Sequence, residues 1–136
     1  MVEEDISAEQ PAERWFIDLE RFLQSNRSFF ALARECLCPA CRQRLTATPP
    51  EIAADDLLAT IGGCCSKTAG FIHGELPILE SVFRLFLANR NQPLDLDEMA
   101  RELNERRAVG GYRTSPQVLS RLLMNDRYYG LGRFEG

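Results

Sequence analysis

Two pairs of cysteines constrain this chain more than any other feature of it. Cys38-Pro39-Ala40-Cys41 is a C-P-x-C turn, and Cys64-Cys65 follow after twenty-two intervening residues. Two thiolates separated by two residues can reach one ion from the same side of a tight turn, and the backbone N–H groups of that turn can point at the sulfurs. Tetrahedral zinc then needs two more ligands from elsewhere. The second pair comes after one expected helix, a distance that suits closing a small lobe in which metal binding supplies part of the folding free energy. The expectation is one structural zinc held by Cys38, Cys41, Cys64 and Cys65, with no open coordination position for a substrate water. Cys36 and His73, the single histidine, are the reserve ligands should the adjacent pair fail to turn inward together.

Other fates of these cysteines are weighed against that one. A disulfide framework fits poorly, because five cysteines leave one over and the start Met1-Val2-Glu3-Glu4-Asp5 is acidic where a secretory signal would be basic and then apolar. A thioredoxin-like redox pair would sit at a helix start after a strand, and no βαβ pattern surrounds this one. An iron–sulfur cluster on Cys36, Cys38, Cys41 and Cys64 and a set of unliganded or redox cysteines remain open. No apolar run approaches the length of a membrane span, so the expected compartment is the cytoplasm.

Hydropathy periodicity divides the 136 residues into two parts and points to a mainly α fold. The first, 1–75, is a helical, cysteine-rich lobe. Ser7 and Gln10 form a capping-box pair, Pro11 suits a first turn, and Trp15, Phe16, Leu19, Phe22 and Leu23 recur at helical spacing. Asn26 and Ser28 interrupt this stripe, and Phe29, Phe30, Leu32 and Ala33 resume it. So many aromatic rings on one face suggest a homodimer seam, with packing into the chain's own core as the competing outcome. Thr46 to Pro50 is a linker, and residues 51–61 are expected to be a helix with Ile52, Leu57, Leu58 and Ile61 inward, ended by Gly62-Gly63.

In the second part, 76–136, Pro77 opens a strongly apolar helix to about Asn89. Leu94 to Leu96 is a strand stub. Asp95 or Asp97 caps a helix from about Glu98 to Arg107 that carries Met99, Ala100 and Leu103 inward. After the Gly110-Gly111 loop, Thr114-Ser115-Pro116 starts a helix bearing Val118, Leu119, Leu122 and Leu123. Tyr128 to Phe134 reads as a final strand or hairpin arm. Net charge is −4 overall, yet between positions 106 and 133 six arginines face only Asp126, a local charge of +5. A basic end on an acidic body is compatible with a nucleic-acid partner. There is no nucleophile beside a base, no glycine-rich phosphate loop and no His–carboxylate motif, so no enzymatic activity is expected.

Three stretches of the second part resemble a winged helix-turn-helix. They are Leu76-Pro77-Ile78-Leu79-Glu80-Ser81-Val82-Phe83-Arg84, then Pro93-Leu94-Asp95-Leu96-Asp97-Glu98-Met99-Ala100, then Thr114-Ser115-Pro116-Gln117-Val118-Leu119-Ser120-Arg121-Leu122-Leu123. The last is similar to recognition helices that open on a Ser/Thr-Pro cap. The resemblance covers under half of the chain, and its motifs are patterns more than signatures. It also departs from the family, whose wing has two strands where this sequence leaves room for one. What it implies is that the third helix lies in the major groove of duplex DNA and turns Gln117, Ser120 and Arg121 to the bases, with Arg113 and Arg127 on phosphates. The sequence-based reading is a zinc-stapled winged-helix protein, a DNA-binding transcriptional regulator. The alternative is a protein–protein adaptor, or a small subunit of a larger complex, whose winged part docks a protein partner.

Overall fold

A computed structural model describes residues 13–46, 53–107 and 113–135. Among these the fold is mainly α, with seven α-helices, one 3₁₀ turn and three short strands. In chain order they are β1 (Arg14–Ile17), α1 (Leu19–Gln24), α2 (Phe29–Arg34), α3 (Pro39–Thr46), α4 (Ala54–Gly63), the 3₁₀ turn Cys65–Lys67, α5 (Ile78–Ala88), β2 (Leu94–Asp95), α6 (Leu96–Arg106), α7 (Pro116–Met124) and β3 (Leu131–Phe134). No helix among the described residues is long and apolar enough to cross a membrane.

The centre of the molecule is α5. Ser81, Val82, Phe83, Leu85, Phe86 and Leu87 are all buried on it, so it is apolar around most of its circumference, as a helix packed on several sides must be. It contacts α4, α6, β1 and the 3₁₀ turn. Leu57, Leu58 and Ile61 of α4 face it from one side, and Met99, Ala100 and Leu103 of α6 from another. Leu119 and Leu123 of α7 complete the core. The periodicity predicts these residues inward, but Val118 and Leu122, also expected inward, are only half-buried. Helix α4 runs on through Gly62 and Gly63, which were expected to end it, and stops at Cys64. The expected helix starts are also present. Asp95 and Glu98 form a reciprocal capping box on α6, and Ser115 accepts from the Val118 N–H with Pro116 in the first turn of α7.

The first apolar stripe folds differently from the expectation. Residues 14–17 are a strand, and the helix begins only after Asp18, whose side chain accepts from the Glu20 N–H as an N-cap. The reason lies in the period. Trp15 and Ile17 are buried while Arg14 and Phe16 face the other way, an alternation of two, and aromatic and β-branched residues fit a half-buried pleat well. Of the helical remainder only Phe22 is buried, and Leu23 is 79% exposed. The rings on which a dimer seam was expected are largely spent inside the chain. Trp15 and Phe22 lie in the core, Phe29 packs edge-on between Phe22 and Phe83, and Phe16 meets Phe134. The capping pair Ser7 and Gln10, together with Pro11, falls outside the described residues, as do Ile52 and the Gly110-Gly111 loop.

The sheet joins the two parts that the sequence separates at 75/76. Its order is β2-β1-β3, so the N-terminal strand is the middle one. β1 runs antiparallel to both neighbours, with Trp15 opposite Leu94 on one side and Arg133 on the other. One continuous hydrophobic core runs from Trp15 to Leu131 through the cysteine-bearing segment.

Candidate functional site

Pro39 occupies the first position of α3, where a missing N–H costs nothing. Cys38 is therefore the residue before the helix. Its carbonyl accepts from the Arg42 N–H at 2.8 Å, and its sulfur accepts from the backbone N–H of Cys41. The thiol thus stands as a helix cap, a place that favours a thiolate. That backbone hydrogen bond is the first cause that draws the Cys38 pKa down to about 7.

The second pair is brought in by the end of α4. Cys64 closes the helix, its N–H donating to the Thr60 carbonyl, and the backbone turns sharply there at φ −134 and ψ −66. Cys65 then enters the 3₁₀ turn with its side chain buried. The turn lets two adjacent side chains converge. The sulfurs of Cys38, Cys41 and Cys64 lie within 4.8 Å of one another, with Cys41 Sγ and Cys64 Sγ 3.5 Å apart. Cys65 hydrogen-bonds with Cys38 and Cys41, and the Cys38 N–H points at its sulfur. Four thiolates at about 2.3 Å around one tetrahedral ion stand about 3.8 Å apart, so the cluster has the dimensions of a metal site and could bind one.

The electrostatics agree with that chemistry. Burial pushes the Cys41 and Cys65 thiols up, and hydrogen bonding to Cys41 pushes Cys64 up. Without a cation the Cys38 sulfur ionises most readily, and its neighbours resist first through burial and hydrogen bonding, with repulsion between nearby thiolates adding to it. A divalent ion would reverse the balance and favour the thiolate form of the cysteines that hold it. Arg44 adds a donor to Cys41 Sγ at 3.4 Å. Arg84 fastens the segment beyond Cys65 to α5, donating to the Phe71 carbonyl at 3.0 Å while paired with Glu80 at 3.1 Å.

The reserve ligands stand outside the group. Cys36 is buried, and desolvation first, with Glu80 and Glu35 adding to it, raises its thiol to about 11. Cys36 is not among the three cysteines, Cys38, Cys41 and Cys64, whose sulfurs converge. His73 is exposed, and its Nδ1 accepts from the Glu75 N–H at 3.2 Å.

The other candidate surface is the outward side of α7. Gln117, Ser120, Arg121 and Met124 fall on one stripe by helical spacing. Gln117, Arg121 and Met124 are exposed and Ser120 half-buried. Arg113 before the helix and Arg127 after it are exposed as well. Among the described residues Arg121 makes no ion pair, and Glu102, a partner within reach by sequence, is taken by Arg106 at 3.3 Å. A clamp that the sequence reading missed fixes the entry to α7. The Asn104 amide donates to the Thr114 carbonyl at 3.0 Å and accepts from the Thr114 N–H at 2.8 Å, which ties the start of α7 to the last turn of α6. Only an Asn or Gln can satisfy both groups of one peptide residue in this way, but nothing in the sequence marks Asn104 out from other helix-surface residues.

Comparison of the chain with protein-family models, with curated proteins and with solved structures finds no match in any of the three. The functional reading therefore rests on the chain's own residues.

Proposed function

We propose that this chain is a metal-stapled winged-helix protein that binds duplex DNA through α7 and serves as a transcriptional regulator. The observation that carries the reading is Arg121, without an ion pair among the described residues, on the exposed stripe of a helix fixed at its start by Ser115 and by the Asn104–Thr114 clamp. The element order α5, β2, α6, α7, β3 supports it. So does the sheet, where β1 takes the place between β2 and β3 that a second wing strand would fill. Arg suits bidentate contact with a guanine edge or a phosphate.

The metal we assign is zinc, held by Cys38, Cys41, Cys64 and Cys65 and structural in role. Thiolate-only tetrahedral ligation suits zinc and leaves no open position. The exposed Met124, in the same stripe as Arg121, favours a second reading in which α7 docks an apolar protein surface.

Binding of the metal-loaded chain to duplex DNA over a range of salt concentrations separates the two. A DNA-binding α7 predicts affinity that falls steeply with salt as counterions are released. An absence of binding at low salt would refute the DNA reading and leave the adaptor.

A further inference from the structure

A second basic site adjoins the end of α7 and shares one residue, Arg127, with the surface around that helix. A cavity of about 270 Å³ opens between the turn joining α1 to α2 and the turn joining α7 to β3. Its lining includes Arg21, Arg27 and Arg127, with Gln24, Ser25 and Tyr128 beside them. The carboxylate in this lining, Asp126, is already committed. Its two oxygens accept from the N–H groups of Tyr128, Tyr129 and Leu131, each at 3.0 Å. Among the described residues none of the three arginines forms an ion pair. Arg127 spends one N–H on the Asp126 carbonyl at 3.0 Å. Arg27 sits over the Tyr128 ring, 3.9 Å from its centroid, and its Nε is buried with no hydrogen-bond partner. Arg21 crosses Gly132, where an added Cβ would meet its Nε at 3.1 Å.

The scaffold is held from both sides. The Arg27 N–H donates to the Phe22 carbonyl at 2.8 Å, and the Asp18 N–H to the Gly130 carbonyl at 2.7 Å. Three arginines that form no ion pair among the described residues, around a space that would hold an oxyanion and several waters at about 30 Å³ each and whose one lining carboxylate is turned to backbone donors, suit recognition of phosphate through forked, charge-assisted hydrogen bonds.

We propose that Arg21, Arg27 and Arg127 form a phosphate-binding site. The site goes beyond the α7 reading, because Arg21 and Arg27 come from the N-terminal part and need no base contact. The shared chemistry is a phosphate oxyanion, whether of a nucleic-acid backbone or of a free phosphate group.

The test uses the metal-loaded full chain and follows the arginine Nε–H resonances. Inorganic phosphate is added in one arm and chloride at matched ionic strength in another. Phosphate is expected to move the signals of these three arginines to saturation while chloride leaves them in place. Arg21→Gln and Arg27→Gln should each weaken binding about tenfold, the effect of losing one charge-assisted hydrogen bond. Arg21, being exposed, serves should Arg27→Gln disturb the fold. A duplex oligonucleotide that displaces the phosphate, and binds less tightly to the two Gln variants, identifies the nucleic-acid backbone as ligand. Phosphate that saturates the site undisplaced identifies a free phosphate group. Duplex binding weakened by the Gln variants where phosphate alone is silent supports the site through phosphodiesters. The proposal is overturned if phosphate and chloride act alike and duplex binding ignores both variants, or if phosphate saturation is the same in wild type and variants. Because the helix stripe is probed by Arg121→Ala, failure of either site leaves the other standing.

Discussion

The side-chain amide of Asn91 closes both backbone groups of Ile17. Its Oδ1 accepts from the Ile17 N–H at 2.7 Å, and its Nδ2 donates to the Ile17 carbonyl at 2.9 Å. β2 pairs only with Arg14 and Trp15, so the far end of β1 would otherwise lack a partner on that side. Asn91 stands in for the missing strand. It does so from a left-handed backbone, φ 62, at the turn that ends α5, a conformation Asn tolerates better than most residues. Asn91→Ala is expected to lower stability by about 2 kcal/mol, for two lost hydrogen bonds in a half-buried place. Urea denaturation checks this, and an unchanged midpoint would show that water replaces the amide without loss.

Asp126 does for the last turn what Asn91 does for β1. It is buried, and three backbone N–H groups converge on it. Asp126→Ala leaves those donors without an acceptor in a water-poor place and is expected to cost about 3 kcal/mol. Asp126→Asn, which keeps one acceptor oxygen, should cost less. Melting of the two variants side by side gives the order, and a reversed order would contradict the carboxylate's role.

Gly70 and Gly130 share a left-handed backbone, φ 80 and φ 68, in different surroundings. A Cβ on Gly70 would meet nothing within 4 Å, whereas one on Gly130 would overlap the Phe22 ring. Gly70→Ala is therefore expected to cost roughly 1 kcal/mol, the conformational penalty alone. Gly130→Ala should cost roughly 3 kcal/mol, because overpacking is added to it. Equal losses in chemical denaturation would show that the ring yields.

How much of this was legible in the sequence differs from element to element. Helices α6 and α7 were, because each carries one apolar stripe and a local start signal, Asp95 and Ser115-Pro116. Helix α5 was legible as a continuous apolar run after Pro77 and α4 as the stripe Leu57, Leu58 and Ile61, although its end was not. β1 was not. Trp15, Leu19 and Phe22 satisfy a helical spacing as well as Trp15 and Ile17 satisfy an alternating one. Only the presence of β2 and β3, distant in sequence, decides between them. The cysteine cluster was legible because C-P-x-C with a following Cys-Cys is a local pattern with one strong chemical use. The choice of Cys65 over Cys36 depends on the turn at Cys64, which no local residue announces. Asn91, Asn104 and Asp126 were illegible. Asn91 and Asn104 serve backbone groups that the tertiary fold leaves unpaired, whereas Asp126 closes a local turn through N–H groups two, three and five residues on.

Metal removal is expected to lower the melting temperature, since cluster and core are continuous through Cys41 and Cys65 and metal affinity is part of the folding free energy. Elemental analysis should find one zinc per chain if Cys65 joins the three converging sulfurs of Cys38, Cys41 and Cys64 as the fourth ligand. Cys64→Ser should lose the ion. Cys36→Ala, outside the cluster, should keep the stoichiometry at some cost in core packing. Loss of metal from both variants would place Cys36 among the ligands, and a metal-free wild type would remove the staple altogether.

Arg121 gives the sharpest test of the helix stripe. Its side chain is exposed, it has no acidic partner among the described residues, and Glu102 is engaged with Arg106. Truncation should therefore leave folding nearly untouched, as exposed substitutions usually do, within about 0.5 kcal/mol. If the stripe faces DNA, Arg121→Ala should cost roughly 1–3 kcal/mol of affinity where the guanidinium grips a base edge, and the loss should depend on sequence. If Arg121 holds a phosphate instead, the loss should be uniform across sequences and the salt slope should fall by about one. Gln117→Ala, one turn earlier on the same stripe, would share the first pattern but not the second, because a neutral amide releases no counterion. Titrations of both variants at two salt concentrations, with a thermal melt on each, resolve the outcomes. Unchanged affinity for every duplex at low salt would take α7 out of DNA recognition and leave its stripe, Met124 included, to a protein partner.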